Sequence, residues 1–108
     1  ESIKGLFDSQ ERPSAVFATD DLKVMSIYRS AAQHGVSIPD ELSIVGYSNS
    51  NFSPFLSPAL TSIEIPVKKL GDAGSQFLFD IIKKNKNVQA RTIIPTKTII
   101  ENSVRKVE

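Results

Sequence analysis

Two short apolar runs, each followed at once by polar residues, dominate the pattern of hydrophobic positions along the chain. The first lies within residues 14–19 and the second within residues 43–47, and the amphipathic segment between them ends at Gly35. Parallel strands covered on both faces read as continuous apolar runs, and a crossover helix joins them. The pattern therefore predicts a strand–helix–strand unit of a parallel α/β sheet, with the first strand covered on both faces.

Four polar side chains follow the predicted strands at their carboxyl ends. Asp20 and Asp21 follow the first strand, and Ser48 and Asn49 follow the second. In open parallel sheets, ligands bind outside the carboxyl ends of the strands. We expect one carboxylate to cap the following helix and the other to enter the crevice. Carboxylates and amides pair well with hydroxyls, so the pattern fits half of a site for a polyhydroxyl ligand; loop formation without a ligand is the alternative.

Three segments have the periodicity of amphipathic helices. The first lies within residues 1–11. The second runs to about His34, a residue expected at the surface, and its predicted apolar face is Leu22, Met25, Ile27, Tyr28, Ala31 and Ala32. The third is predicted to begin with Pro66 at its first helical position and to run to about Lys84. Its predicted apolar face is Leu70, Ala73, Gly74, Phe77, Leu78, Ile81 and Ile82.

The rest of the chain is predicted to contain one loop, three strand segments and a tail. The loop, residues 48–58, carries apolar side chains that indicate a covering partner, namely Phe52, Phe55 and Leu56. The strand segments are placed at residues 60–64, 92–94 and 97–100. From Asn102 the chain is polar, and we expect it to fray.

Composition contributes exclusions. The 108 residues carry a net charge of +1 with acids and bases interspersed, which gives this stretch no electrostatic case for binding nucleic acid or membrane. There is no cysteine and one histidine, so disulfides and thiolate chemistry are excluded and a histidine metal site is not expected. With no glycine-rich phosphate loop and no Ser/His/Asp arrangement, an enzyme would lack a nucleophile–base pair. The chain begins without methionine, and we expect a longer protein around it.

Three segments resemble motifs of the LacI/GalR (lactose/galactose repressor) family of bacterial transcription regulators. Residues 12–21, RPSAVFATDD, are similar to the family's "rPtAifaxnD", and residues 35–47, GVSIPDELSIVGY, resemble "GlxvPxDvSvvGyD". Residues 57–63, SPALTSI, resemble "xPxLTTv". The resemblance runs in order from residue 12 to about residue 103, with the family's spacing.

The resemblance implies a place in a larger architecture. The family joins an N-terminal helix-turn-helix domain to two subdomains of periplasmic-binding-protein type, with the effector between them. Residues 1–64 would belong to the C-terminal subdomain, residues 65–90 would form a crossover helix packed on the N-terminal subdomain, and residues 91–108 would return as strand segments and tail. Without that subdomain, we expect the crossover helix to rearrange, to swap with a neighbour or to drive association.

The resemblance also implies functional residues. The effector-binding positions would be Asp20, Ser48, Asn49, Val67 and Leu70. Ser48 departs from the aspartate that many members carry, and Glu101 replaces the arginine of the closing "RxS". The dimer interface would contain Met25, Tyr28, Arg29, Phe55 and Leu56; the alternative for Met25 and Tyr28 is a place in the core. No cofactor, metal or membrane contact is implied, and the partners would be a sugar-like effector, a second copy of the chain and operator DNA.

Three functions are compatible with these features of the sequence. The first is the effector-binding and dimerisation part of a cytoplasmic repressor, in which ligand shifts an open–closed equilibrium and thereby operator affinity. The second is a periplasmic or extracellular sugar-binding protein of a transport system, which shares the fold. The third is a metal-dependent enzyme or phosphoacceptor that uses Asp20 and Asp21.

Overall fold

The computed structural model describes residues 2–8, 12–83 and 91–106. The helices are α1 (Ser2–Asp8), α2 (Asp21–Gln33) and α3 (Val67–Ile82), and a short 3-10 helix spans Ser53–Phe55. The strands are β1 (Ala15–Phe17), β2 (Ser43–Ser48), β3 (Thr61–Glu64) and β4 (Lys97–Ile99). The described residues up to Glu64 and from Lys97 form one compact unit, here the α/β unit, and those between Ile65 and Thr96 form a second, here the α3 unit.

One four-stranded sheet organises the α/β unit, in the order β1-β2-β3-β4. The pairs β1–β2 and β2–β3 are parallel, with Val16 opposite Ile44 and Val45 opposite Thr61. β4 runs antiparallel to β3. The predicted strand–helix–strand unit and the α/β fold class are confirmed, and the antiparallel last strand makes the sheet mixed.

The core of the α/β unit lies between α2 and the sheet, with Phe7 of α1 at its side. Its buried apolar side chains are Phe7, Ala18, Val24, Ile27, Ala31, Val36, Leu42, Ile44 and Leu60. The predicted helix face is partly wrong, because Leu22 and Met25 are exposed whereas Val24 is fully buried. Asp21 is itself buried, and the buried stripe therefore follows Asp21, Val24 and Ala31 at helical spacing.

The prediction that β1 is covered on both faces is wrong for this chain. Ala15 and Phe17 are exposed, and the ring of Phe17 is 55% exposed. Phe17 makes an edge-to-face contact with Tyr47 of β2, the ring centroids being 6.4 Å apart. Opposite faces of a strand alternate, so Val16, which points the other way, is the residue that packs against the core.

The end of the chain differs from its predicted form in two places. Residues 92–94 form no strand, and pairing begins only at Lys97, after Pro95. The expected fraying from Asn102 is also wrong, because Ser103 is fully buried. Its hydroxyl donates to the carbonyl of Ile44 (2.6 Å) and accepts the backbone N–H of Thr61 (2.8 Å). The tail is thereby fixed to β2 and β3.

The α3 unit is dominated by one exposed amphipathic helix. Pro66 is the N-cap residue and not the first helical residue as predicted. The helix ends at Ile82 with Lys83 as its C-cap, and the predicted end, Lys84, lies outside the described residues. No side chain of α3, which is described throughout, is buried. A groove of about 240 Å³ is lined by Leu70, Ala73, Gly74, Phe77, Arg91, Thr92 and Ile94.

Length and polarity rule out a transmembrane helix among the residues described: none of the helices there could cross a membrane.

Candidate functional site

Asp20 caps α2 at the carboxyl end of β1. One carboxylate oxygen accepts the backbone N–H of Lys23 (2.8 Å), and the other lies 2.9 Å from the Lys23 ammonium. The Lys23 ammonium and then its backbone N–H hold the pKa of Asp20 below its ordinary value. The predicted capping role is confirmed, and the half-exposed Asp20 carboxylate stays within reach of solvent.

Asp21 occupies a different position, beneath the loop that follows β2. Its carboxylate accepts three hydrogen bonds, from the backbone N–H of Ser50 (2.6 Å), the hydroxyl of Ser53 (3.0 Å) and the hydroxyl of Ser62 (3.4 Å). The side chain is 1% exposed. The prediction that the carboxylate not used for capping enters the crevice is therefore wrong, because Asp21 joins α2, the loop and β3 from inside.

Ser48 and Asn49 stand at the carboxyl end of β2, as predicted, and both have positive φ angles, 117° and 52°. Non-glycine residues rarely adopt such angles, and they concentrate at binding and catalytic sites. The Ser48 hydroxyl lies 3.2 Å from the Ser50 hydroxyl, and the Asn49 backbone N–H donates to the Ser62 hydroxyl (3.1 Å). Both side chains are half-buried.

The two other predicted effector-binding residues belong to the α3 unit. Val67 and Leu70 lie on the first turn of α3, and both are exposed. Leu70 lines the groove of that unit together with Phe77 and Arg91. The predicted effector-binding residues thus belong to both units. Asp20, Ser48 and Asn49 lie at the carboxyl ends of β1 and β2, and the two apolar residues belong to the α3 unit.

The predicted dimer residues differ in what surrounds them. Met25 and Arg29 are exposed on α2, and Phe55 in the loop is 86% exposed. The half-buried Tyr28 donates its hydroxyl to the carbonyl of Pro58 (3.0 Å), and burial raises the pKa of its phenol. Leu56 is partly buried and packs against the core.

Sequence reasoning missed the buried hydrogen-bond centre at Asp21. A Cβ added at Gly46 would lie 2.5 Å from the Asp21 carboxylate, 2.8 Å from Leu60 and 3.2 Å from the Ser62 hydroxyl. The carboxylate therefore rests directly over the backbone of Gly46. A glycine within an apolar strand run is a known signal of close approach, and it pointed to this contact.

A sequence model for the periplasmic binding protein-like domain matches residues 1–104. The chain belongs to this family. Over 97 residues it is 33% identical to the HTH-type transcriptional repressor PurR of Photobacterium profundum, a match that covers 89% of the chain and 29% of the repressor. The chain thus spans less than a third of the length of this relative.

Solved structures agree with the family assignment. A LacI family transcriptional regulator from Enterococcus faecium, with bound ribose, superposes with a TM-score of 0.82 at 28% identity, over 98% of this chain and 39% of that one. The complex of the transcriptional regulator CelR with cellobiose gives a TM-score of 0.85 at 26% identity, over 94% of this chain and 31% of the regulator. The resemblance to the C-terminal part of the LacI/GalR effector-binding domain is confirmed.

These relatives separate the competing functions. They are transcriptional regulators, which favours the first hypothesis over a transport receptor and over an enzyme. The metal-based hypothesis also has to account for Asp21, whose carboxylate already accepts three hydrogen bonds in a buried position.

Proposed function

We propose that this chain is the effector-sensing and dimer-forming part of a cytoplasmic DNA-binding transcription regulator. A sugar or related small metabolite binds between two subdomains and changes the affinity of the protein for its operator. The observation that carries the proposal is the loop at the carboxyl end of β2, where Ser48 and Asn49 are held in rare backbone conformations. The relatives bound to ribose and to cellobiose support a neutral sugar as the ligand class.

The residues of the α/β unit match that ligand class chemically. The Asp20 carboxylate accepts hydrogen bonds from sugar hydroxyls, and the Asn49 amide both donates and accepts. Ser48 stands where many family members carry an aspartate, and a hydroxyl is a weaker acceptor than a carboxylate. We therefore expect this regulator to bind its sugar with fewer charged hydrogen bonds. Val67 and Leu70 would supply the apolar side of the cleft.

Titration calorimetry on the full-length protein that contains this chain tests the ligand. The probes are D-ribose, cellobiose and a panel of other pentoses, hexoses and disaccharides. Asn49→Gly removes the side chain but keeps a residue that accepts the positive φ of 52°. We expect it to weaken binding about tenfold or more, as loss of a ligand hydrogen bond does. Asn51→Gly, in the same loop but exposed, is the matched control.

DNA binding supplies the second half of this test. The full-length protein selects sequences from a random DNA pool, and its affinity for them is measured with and without the sugar that gave heat. We expect a change of about fivefold or more, the lower end of ordinary allosteric coupling. A protein that binds sugar but no DNA would instead be a transport receptor, and equal DNA affinity in both states would overturn the sensing mechanism.

We further propose that the surface formed by Met25, Tyr28, Arg29, Phe55 and Leu56 is the dimer interface. Phe55 supports this most directly, because it is 86% exposed and lies next to Leu56 in the loop, and a contiguous exposed apolar patch is typical of a protein–protein interface. Phe55→Ser is expected to raise the dimer dissociation constant in analytical ultracentrifugation. Ile100→Ser, at another highly exposed apolar residue of the α/β unit, is the control and should leave the dissociation constant unchanged.

We also propose boundaries for the parts of the two subdomains that this chain contains. Residues 1–64 would form the C-terminal subdomain, residues 65–90 would cross to the N-terminal subdomain, and residues 91–108 would return. The support is that α3 has a continuous apolar face and no buried side chain in this chain. Hydrogen exchange of α3 in the full-length protein, compared with the chain alone, tests this. Equal protection in both would contradict it.

A further inference from the structure

The buried carboxylate of Asp21 is the meeting point of three segments of the α/β unit. Asp21 is the first residue of α2, Ser50 and Ser53 belong to the loop after β2, and Ser62 lies in β3. One carboxylate oxygen accepts from both Ser50 and Ser53, and the other accepts from Ser62. All three partners donate, so the carboxylate is used as a pure acceptor.

A second chain of hydrogen bonds connects Asp21 to Asn49. The Asn49 backbone N–H donates to the Ser62 hydroxyl, and that hydroxyl donates to Asp21. The backbone amides of Asn49 and Ser50 are thus both fixed by the same carboxylate, one through Ser62 and one directly. These are the amides beside the two positive φ angles, at Ser48 and Asn49.

The position of the carboxylate leaves no room for adjustment on the sheet side. Gly46 lies directly under it, and any side chain at that position would collide with Asp21 and Leu60 and crowd Ser62. Two backbone hydrogen bonds further constrain the loop. Within it, the Ser53 N–H donates to the carbonyl of Ser50 (2.9 Å), and the Ser53 carbonyl accepts the N–H of Leu60, just before β3 (3.2 Å). Asp21 therefore receives two of the bonds that attach the loop to the rest of the unit, and the bond from Leu60 to Ser53 is a separate attachment.

We propose that Asp21 is a positioning residue that holds the loop of residues 48–53 in the conformation that presents Ser48 and Asn49 to the effector. Asp21 does not touch the ligand; it acts through the backbone amides of Asn49 and Ser50. This inference rests on the proposed function for the identity of the ligand. The holding of the loop itself is independent of any ligand.

Residue-resolved hydrogen exchange on the full-length protein tests the holding of the loop. In Asp21→Ala, the amide of Ser50 loses its acceptor, and the Ser62 hydroxyl that accepts from the amide of Asn49 loses the carboxylate that orients it. We expect the exchange of both amides to accelerate, by about tenfold or more at Ser50, as loss of a hydrogen bond to a charged acceptor implies. The amide of Ile44, which donates to the Ser103 carbonyl in the core, should keep its rate. Asp40→Ala, at an exposed aspartate, is the matched control.

Two less disruptive variants distinguish a role of Asp21 in positioning the loop from a general role in folding. Asp21→Asn keeps an amide oxygen as acceptor for Ser50 and Ser53, and we expect it to restore most of the protection at Ser50. Ser62→Ala breaks only the indirect connection, so it should accelerate the amide of Asn49 and leave that of Ser50 unchanged. These variants decide the question even if Asp21→Ala does not fold.

Unchanged exchange at Asn49 and Ser50 in Asp21→Ala, or an equal acceleration at Ile44, overturns the proposal and leaves Asp21 a residue of general stability. If a sugar from the calorimetry panel binds the wild-type protein, Asp21→Ala should bind it about tenfold or more weakly. If the loop amides of Asp21→Ala exchange faster but the variant binds the sugar as tightly as the wild-type protein, the positioning role is also overturned. A wild-type protein that binds no sugar refutes the proposed ligand class, and the exchange rates still decide the role of Asp21.

Discussion

The two long helices of this chain have similar sequence patterns but different fates. α2 has 13 residues and buries Asp21, Val24, Ile27 and Ala31 against the sheet. α3 has 16 residues and a stronger apolar face, yet none of its side chains is buried. Periodicity determines which face of a helix is apolar, whereas burial depends on whether the same chain supplies a surface to cover it. The difference agrees with the proposed domain arrangement, in which α3 packs against another subdomain of the full-length protein.

The two helices also differ in how they are capped at their N-termini. α2 begins at a side-chain cap, Asp20, and is followed by Gly35 with a φ of +66°, the conformation that ends a helix. α3 begins at Pro66, which makes no side-chain capping bond. The helix that is packed within the chain is therefore also the one that begins at a side-chain cap.

The largest expected effect is a matched pair of isoleucine truncations. Ile27→Ala, at a side chain that is 4% exposed in the core, should lower the free energy of unfolding by about 2–5 kcal/mol because it removes buried methyl groups and leaves a cavity. Ile81→Ala, at a side chain that is 50% exposed on α3, should lower it by less than about 1 kcal/mol. Urea unfolding of the 108-residue chain measures both.

The same pair sharpens the comparison when it is repeated in the full-length protein. If α3 is covered there, the cost of Ile81→Ala should rise toward that of Ile27→Ala. Equal costs in the 108-residue chain would mean that α3 packs against apolar surface in solution, by association or by rearrangement. A sedimentation measurement would then show which of the two occurs.

Local patterns predicted most of the α/β unit correctly. The strand–helix–strand order, the Asp20 cap and the Gly35 end follow from signals that act within a few residues. Apart from the placement of Pro66 one position too far into α3, the main errors concern contacts between distant residues. The phase of α2 was wrong because Asp21 is buried by partners about 30 to 40 positions away, at Ser50, Ser53 and Ser62. No periodicity of apolar residues contains that information.

The candidate site was predictable in place but not in detail. The rule for parallel sheets placed Ser48 and Asn49 at the carboxyl end of β2, where the structure has them. It could not show that Asp21 turns inward, since adjacent aspartates are equivalent to any pattern rule. Gly46 was the one local clue, because only a glycine admits a carboxylate so close to a central strand. The pairing of Ser103 with β2 and β3 had no local signal, since a polar tail usually frays.

The second prediction tests that unexpected anchor. Ser103→Ala removes a hydroxyl that donates to the Ile44 carbonyl and accepts from the Thr61 N–H, and it leaves both buried groups without this partner. We expect the free energy of unfolding to fall by about 1–3 kcal/mol. Ser75→Ala, at an exposed position of α3, should change it by less than about 0.5 kcal/mol. Thermal and urea unfolding of the two variants supply the comparison. A loss for Ser103→Ala no greater than for Ser75→Ala would show that the tail is not held in solution.

The smallest expected effect concerns the turn that leads into β2. Glu41 accepts hydrogen bonds from the backbone N–H of Ser37 (2.9 Å) and from its hydroxyl (2.9 Å), and it pairs with Arg12 (3.1 Å). The Ser37 backbone N–H, then its hydroxyl, then Arg12 hold the pKa of Glu41 below its ordinary value of 4.5. The folded state therefore binds the proton less readily than the unfolded state does.

This direction fixes the pH dependence. The stability that Glu41 contributes is fully present above its unfolded pKa, near 4.5, and is lost as the pH falls through the lower folded pKa. Glu41→Gln should therefore be less stable than wild type at pH 7, with the difference shrinking below pH 4.5. Asp72→Asn breaks an exposed ion pair with Lys68 on α3 and serves as the matched control. Urea unfolding from pH 7 downward measures the difference, and a gap for Glu41→Gln that persists unchanged in acid would contradict the stabilising role of the ionised Glu41 carboxylate.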